Sequence, residues 1–162
     1  MYSLNKAFKT IIISGLLALF MTLPGTANIS RQAPDFEIKN LSGKPVRLAD
    51  LRTDGRVLLV FWSTRCGYCK QMIPQFKAIE KNYRNKGVRL AAVNIGSEDK
   101  PEVLRYANKF NLPYLVLNDD AQKADLAENY AVVGTPTIIL IEPTGEVSYR
   151  GFKLPDLTDR IN

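Results

Sequence analysis

The chain has 162 residues, of which 46% are apolar and 23% charged, with a formal net charge of +6, two cysteines and no histidine. This length favours one domain, and the composition is that of a globular protein. Two cysteines are too few for a disulfide-stabilised scaffold, and without histidine they do not complete a four-ligand zinc site. The missing histidine also excludes Ser–His and Cys–His nucleophile pairs, and the dispersed basic residues argue against nucleic-acid binding.

The first 27 residues have the pattern of a secretory signal. Lys6 and Lys9 give a positively charged start, residues 11–23 form a mostly apolar run, and small residues follow it. The run is shorter than the roughly 20 residues that span a membrane. We predict a signal peptide at 1–27, with an uncleaved N-terminal anchor as the alternative. Residues 28–162 are then expected in an exported, periplasmic location.

The next segment predicts short elements that lead into one central strand. Residues 57–62 (VLLVFW) are continuously apolar, which is typical of a strand covered on both faces. Ser63 and Thr64 follow it as candidate N-caps of the next helix. Before this strand we predict an extended lead-in at 28–34, a strand at 36–39, a turn at 42–44 and a strand passing into a helical turn at 46–51.

The rest of the chain alternates helices and strands. Apolar residues recur at helical spacing from Cys66 to Lys86, Pro74 is expected to kink this helix, and Gly87 is suited to end it. We then predict a strand at 88–95, a helix from Asp99 to Phe110 and a strand at 115–117. A helix capped by Asp119 or Asp120 is expected to follow and to end near Tyr130. The last predicted elements are strands at 137–141 and 147–152 around a turn at 143–145, and at most a two-turn helix at 155–161. The prediction is a three-layer α/β/α sandwich with a mixed sheet, in which helices imply parallel crossovers and the last hairpin adds an antiparallel edge.

Cys66-Gly67-Tyr68-Cys69 lies where the central strand passes into the long helix. At a helix N-terminus the free N–H groups and the helix dipole favour a thiolate at Cys66, and Arg65 adds a cation. Cys69 lies one turn further and is expected to be more buried. The outer sulfur is therefore suited to attack a disulfide and the inner one to resolve the mixed disulfide. The alternatives are a weak structural disulfide and half of a metal site, with copper(I) taking both thiolates and Met72 as a neighbour.

Residues 61–70 (FWSTRCGYCK), with Pro74 behind them, resemble the active site of the thioredoxin superfamily. Further segments resemble the exported TlpA/ResA-like thioredoxin family, and these are residues 33–36 (APDF), 40–51 (NLSGKPVRLADL), 93–96 (VNIG) and 130–137 (YAVVGTPT). The resemblance implies a thioredoxin fold with an N-terminal β extension over 28–162, a cis peptide bond before Pro136, and a membrane thiol-disulfide donor as partner.

The sequence departs from this family at two positions near the second cysteine. Met72 replaces a glutamate that many members have, and Val60 falls at about the position of the buried aspartate of thioredoxin. Glu98 and Lys70 are the titratable candidates in their place.

The residues between the two cysteines resemble a different branch. Gly67-Tyr68 and the Thr135-Pro136 pair are similar to the active site of DsbC-type disulfide isomerases. Thr135 and Pro136 are expected to bind a substrate strand and Tyr68 to stack on it. Trp62 is expected beside the site, with core filling as the alternative.

These observations predict an exported thiol-disulfide oxidoreductase that reduces or exchanges disulfides in cysteine-containing periplasmic proteins, one possibility being the cysteines of apocytochrome c. Cys66 is the nucleophile and Cys69 the resolving thiol, and we expect no cofactor, no bound metal and no nucleic acid. The alternatives are a disulfide isomerase or oxidase, and a non-enzymatic copper-handling or redox-sensing module. A peroxidase is a further possibility, since residues 33–36 also occur in peroxiredoxins, but the peroxidatic pattern is not matched around either cysteine.

Overall fold

Strands and helices alternate along residues 32–158, the part of the chain that the computed structural model describes. In chain order the elements are β1 (Glu37–Lys39), β2 (Pro45–Arg47), α1 (Leu48–Arg52), β3 (Arg56–Trp62), α2 (Gly67–Tyr83), a 3₁₀ turn (Arg84–Lys86), β4 (Val88–Asn94), α3 (Lys100–Lys109), β5 (Leu115–Leu117), α4 (Lys123–Asn129), β6 (Thr137–Ile141) and β7 (Val147–Gly151). Each element between β1 and β7 was predicted, with ends that differ by a few residues. The predicted signal at 1–27 lies outside the described residues, and none of the helices described within 32–158 is long and apolar enough to cross a membrane.

The sheet has five strands in the order β5-β4-β3-β6-β7, and β1 and β2 form a separate hairpin. β3, β4 and β5 are parallel, whereas β6 runs antiparallel to β3 and β7 antiparallel to β6. We expected only the last hairpin to supply an antiparallel edge, so the prediction was wrong for the pairing of β6. The reason is that β6 enters the sheet at the end where β3 leaves it, with Thr137 paired to Phe61.

Each face of the sheet has its own apolar core, because the strands send alternate side chains to opposite faces. Helices α2 and α3 cover one face through residues such as Phe76 and Val103. Helices α1 and α4, with the β1–β2 hairpin, cover the other through residues such as Leu51, Leu126 and Ile38. The layers confirm the three-layer prediction and explain why β3 is apolar on both faces.

The start of α2 differs from the prediction. Neither Ser63 nor Thr64 caps the helix; Cys66 is the N-cap, and its Sγ accepts the backbone N–H of Cys69 at 3.0 Å. The two hydroxyl groups donate instead to the carboxylate of Glu98. The helix continues past Pro74, and Gly87 follows the 3₁₀ turn in the left-handed region with φ of 77°, as its predicted place at the helix end requires.

The predicted cap of α4 also needs correction. Gln122, which makes no side-chain cap, precedes α4, so neither Asp119 nor Asp120 is its N-cap. Asp119 instead accepts the N–H of Ala121 in the preceding turn, which delays the start of the helix. Residues 154–157 form no helix, and residues 159–162 lie outside the described part.

Candidate active site

Cys66 and Cys69 are joined in a disulfide bond at the N-terminus of α2. Cys69 is only 3% exposed and belongs to the apolar core between the sheet and helices α2 and α3, whereas Cys66 is partly exposed. The N–H of Cys69 points at the Cys66 sulfur, and the positive end of the helix dipole lies at the same place. Both features stabilise a thiolate on Cys66 when the bond is reduced, so the outer sulfur is the one suited to attack.

The start of β6 lies against the outer sulfur. The peptide bond between Thr135 and Pro136 is cis, and the carbonyl oxygen of Thr135 lies 3.5 Å from the Sγ of Cys66. Thr137 anchors this segment, because its hydroxyl donates to the carbonyl oxygen of Gly134 at 2.7 Å. The antiparallel entry of β6 next to the end of β3 is what brings the two segments together.

The turn before Cys66 is tied to Glu98, which follows β4. One carboxylate oxygen, Oε1, accepts hydrogen bonds from the hydroxyls of Ser63 and Thr64, both at 2.7 Å, and from the backbone N–H of Arg65 at 3.2 Å. Burial alone raises the pKa of Glu98, but the hydrogen bonds from Thr64, Ser63 and Arg65 outweigh it and lower the pKa to about 2. Glu98 is therefore a carboxylate at neutral pH.

Comparison with known proteins decides what this arrangement belongs to. The model of the AhpC/TSA family matches residues 29–150. The thiol-disulfide oxidoreductase ResA of Geobacillus thermodenitrificans is 33% identical over 147 residues, covering 86% of this chain and 82% of that protein. The chain belongs to the thiol-disulfide oxidoreductases of the AhpC/TSA family.

Solved structures support the same fold. The thioredoxin domain of the Bacteroides vulgatus thiol-disulfide oxidoreductase BVU-2223 superposes with a TM-score of 0.72 at 23% identity, covering 81% of this chain and 96% of that one. A putative thiol:disulfide interchange protein DsbE from Chlorobium tepidum superposes with a TM-score of 0.68 at 29% identity, covering 77% of this chain and 85% of that one. The predicted thioredoxin fold with an N-terminal β extension is thereby confirmed.

The inner sulfur of this oxidoreductase has apolar surroundings. Val60 and Met72 occupy the two positions at which the family resemblance implied carboxylates, and both pack in the same core as Cys69. A void of about 10 Å³, roughly the space of one water, adjoins Cys69 and is also lined by Trp62 and Tyr106. The hydroxyl of Tyr106 has no hydrogen-bond partner among the described residues, and burial raises its pKa. Burial in such surroundings favours the protonated thiol of Cys69 over its thiolate.

The remaining predicted site residues of the oxidoreductase differ in their exposure to solvent. Tyr68 is 46% exposed beside the cysteines, as a substrate contact requires. Trp62 is 5% exposed, and its ring packs against that of Tyr106 with 5.3 Å between the ring centroids. This placement favours the core-filling alternative. Lys70 lies over the ring of Phe110, 5.5 Å from its centroid, on the outer side of α2.

Val133 is a candidate that sequence reasoning missed. It is 89% exposed and lies two residues before Thr135, next to the segment that contacts Cys66. An apolar run before Gly134 reads equally well as a buried segment, so the sequence held no signal for its exposure.

Within residues 32–158 no three Asp, Glu, Cys or His side chains lie close enough together to hold a metal ion. The chemistry available to the oxidoreductase is exchange between its own two sulfur atoms and those of another molecule. In the reduced state the Cys66 thiol is also placed to donate weakly to the Thr135 carbonyl oxygen.

Proposed function

We propose that this oxidoreductase works in the periplasm, where it reduces or exchanges disulfide bonds in exported proteins and is re-reduced by a membrane thiol-disulfide donor. The observation that carries the proposal is the pairing of an accessible sulfur with a backbone segment: Cys66 lies against the carbonyl oxygen of Thr135. A polypeptide in extended form is suited to such a segment, because it offers backbone N–H groups to the carbonyl.

The exposed apolar side chains beside the site favour a protein substrate over a small molecule. Tyr68 and Val133 stand close in the chain to Cys66 and Thr135 respectively, and both are exposed. Covering them with a substrate polypeptide removes apolar surface from water, which small thiols do much less. Cysteines of apocytochrome c are one candidate substrate within this class.

The reaction follows from the two cysteine environments. The Cys66 thiolate attacks one sulfur of a substrate disulfide, a mixed disulfide forms, and the other substrate sulfur leaves as a thiolate. Cys69 loses its proton and attacks the Cys66 sulfur, which closes the Cys66–Cys69 disulfide and releases the second substrate thiol. Two electrons have passed to the substrate. A dithiol of the membrane donor returns two electrons by the same exchange in reverse.

The reduction potential of the Cys66–Cys69 pair tests the direction of this reaction. The purified protein is equilibrated in glutathione buffers and the fraction of dithiol is measured by alkylation. A potential near about −270 mV, as in thioredoxin, supports a reductase. A potential near about −120 mV, as in a strong oxidant, favours the isomerase or oxidase alternative, to which the resemblance of Gly67-Tyr68 and Thr135 points.

Location and substrates are tested together by trapping. The full chain carrying Cys69→Ser is expressed with an affinity tag in a bacterium, and its mixed disulfides are isolated after acid quenching. We expect exported proteins to be captured through Cys66. The matched control lacks residues 1–27 and should lose this set of partners. Capture of the same partners by both forms would contradict an exported site of action.

A further inference from the structure

Glu98 links the turn that carries Cys66 to the loop after β4 and to Lys123 of α4. We propose that Glu98 is a positioning residue for the redox pair, acting through Ser63, Thr64 and Arg65 to hold the turn from which Cys66 projects. The proposal concerns the thiol-disulfide exchange itself. It therefore does not depend on the location or the substrates proposed above.

The first observation is the convergence of three donors on one oxygen. The Ser63 and Thr64 hydroxyls and the Arg65 N–H all point at Oε1 of Glu98, which is a side chain only 1% exposed. Hydrogen bonds to an ionised group are the strong ones, and burial strengthens them further. The donors are three consecutive residues, so one carboxylate fixes the whole turn.

The second observation is that Glu98 is itself held in place. Its carbonyl oxygen accepts a hydrogen bond from the Lys123 ammonium group at 2.9 Å, and Lys123 also pairs with Asp120. Its second carboxylate oxygen, Oε2, is buried without a partner among the described residues and lies against Gly96. A Cβ at Gly96 would overlap that oxygen, so the glycine leaves the room that the carboxylate occupies.

A backbone hydrogen bond within the turn connects the residues held by Glu98 to Cys66. The backbone N–H of Cys66 donates to the carbonyl oxygen of Ser63 at 3.2 Å, so the residues from Ser63 to Cys66 form one closed turn. The hydroxyl of Ser63 also accepts the N–H of Arg65 at 3.1 Å. Releasing Glu98 frees the two hydroxyl groups and the Arg65 N–H together, and with them the direction in which the Cys66 sulfur points.

The carboxylate also places a buried negative charge on the backbone N–H of Arg65, the residue before Cys66, and a negative charge there disfavours the Cys66 thiolate. The other charged groups around the turn are Lys123 behind Glu98, the exposed Arg65 and Lys70, and Glu102 of α3, whose Oε1 lies 3.4 Å from the Thr64 hydroxyl. Position and charge are separable by substitution, because glutamine keeps the Oε1 acceptor and loses the charge, whereas alanine loses both.

The experiment compares Glu98→Gln and Glu98→Ala in the full chain. Three quantities are measured: the pH profile of Cys66 alkylation, the equilibrium constant with glutathione, and the rate of exchange with a small test protein that contains one disulfide. For Glu98→Gln we expect a lower alkylation pKa and a shift of about tenfold toward the dithiol, equivalent to a potential about 30 mV more positive. For Glu98→Ala we expect, in addition, an exchange rate at least tenfold lower.

Glu80 provides the matched control. It is also a buried glutamate with one carboxylate oxygen hydrogen-bonded, here by Arg84, and the other without a partner among the described residues, but it lies near the far end of α2. Glu80→Gln should lower stability without moving the alkylation profile or the glutathione constant. The positioning role is overturned if Glu98→Ala exchanges as fast as Glu98→Gln. The charge effect is overturned if Glu98→Gln leaves the alkylation profile and the glutathione constant at their wild-type values, or if Glu80→Gln shifts them equally. Should Glu98→Ala not fold, the double variant Ser63→Ala with Thr64→Val takes its place, because it removes both hydroxyl donors and keeps the carboxylate. Exchange by that double variant at the wild-type rate would overturn the positioning role.

These readouts use only glutathione, an alkylating agent and a test disulfide. They therefore test Glu98 even if trapping shows no exported substrate, and the two failures are distinguishable.

Discussion

The sulfur of Cys66 and the carbonyl oxygen of Thr135 lie 3.5 Å apart, although 69 positions separate these residues in the chain. The contact exists because β6 enters the sheet antiparallel beside the end of β3, with Thr137 paired to Phe61. It places the attacking sulfur beside a backbone segment that is free of helix. This contact, the network of Glu98 and the packing around the site each have consequences that substitution can measure.

The two cysteines should behave differently when they are replaced one at a time. Cys66→Ser should abolish exchange, because the buried Cys69 sulfur, at 3% exposure, does not reach a substrate disulfide. Cys69→Ser should accumulate mixed disulfides, because the resolving thiol is gone. Mass spectrometry of the protein after reaction with a test disulfide checks both outcomes. Turnover of Cys69→Ser at the wild-type rate would show that the roles are assigned wrongly.

Val133 should contribute to binding protein substrates. Its exposed side chain stands two residues before Thr135, and covering a valine contributes up to about 1.5–3 kcal/mol. With partial covering, we expect Val133→Ser to raise KM for a protein disulfide about three- to tenfold and to leave reaction with glutathione disulfide unchanged. Leu104→Ser is the control, since Leu104 is also an exposed apolar side chain, at 41%, and lies on α3 in a groove lined by Asn40, Leu41 and Asn108. Equal effects of the two substitutions would argue against a binding role for Val133.

The protein should lose stability in acid as Glu98 becomes protonated. Its pKa of about 2 in the folded protein lies below the ordinary value of 4.5. The ionised form therefore stabilises the fold fully above about pH 4.5, and this contribution is lost as the pH falls through 4.5 toward 2. The contribution is on the order of 3 kcal/mol. Urea unfolding between pH 2.5 and 7 checks it: the wild type should lose stability over this window more steeply than Glu98→Gln. Parallel curves would refute the assigned ionisation.

Two glycines should respond oppositely to alanine. Gly55 precedes β3 with φ of 129°, and a Cβ there would clash with the carbonyl oxygen of Gly87. We expect Gly55→Ala to lower the free energy of unfolding by about 2–4 kcal/mol through backbone strain and overpacking. Gly67 begins α2, and a Cβ added there would meet nothing within 4 Å, so Gly67→Ala should leave stability unchanged or raise it by up to about 1 kcal/mol. Thermal unfolding of the two variants tests the contrast, and a stable Gly55→Ala would contradict the close approach.

Local signals along the chain were sufficient for most of the fold. The apolar run of 57–62, the helical spacing after Cys66 and the glycine at 87 each act over a few residues, and each element they predicted is present. The capping predictions failed at Ser63, Thr64, Asp119 and Asp120. A hydroxyl or carboxylate has several backbone or side-chain partners within reach, and its neighbours in sequence do not say which partner the fold provides.

The sequence by itself determined the chemistry: two cysteines at the junction of a buried strand and a helix, with no histidine, leave thiol-disulfide exchange as the favoured reaction. Only the tertiary structure decided what surrounds them. The antiparallel entry of β6 put Thr135 against Cys66, and the loop after β4 brought the Glu98 carboxylate to the turn before it. Both contacts join segments more than 30 residues apart in the chain. They form because the sheet brings the ends of β3, β4 and β6 together, and no short stretch of sequence specifies that pairing.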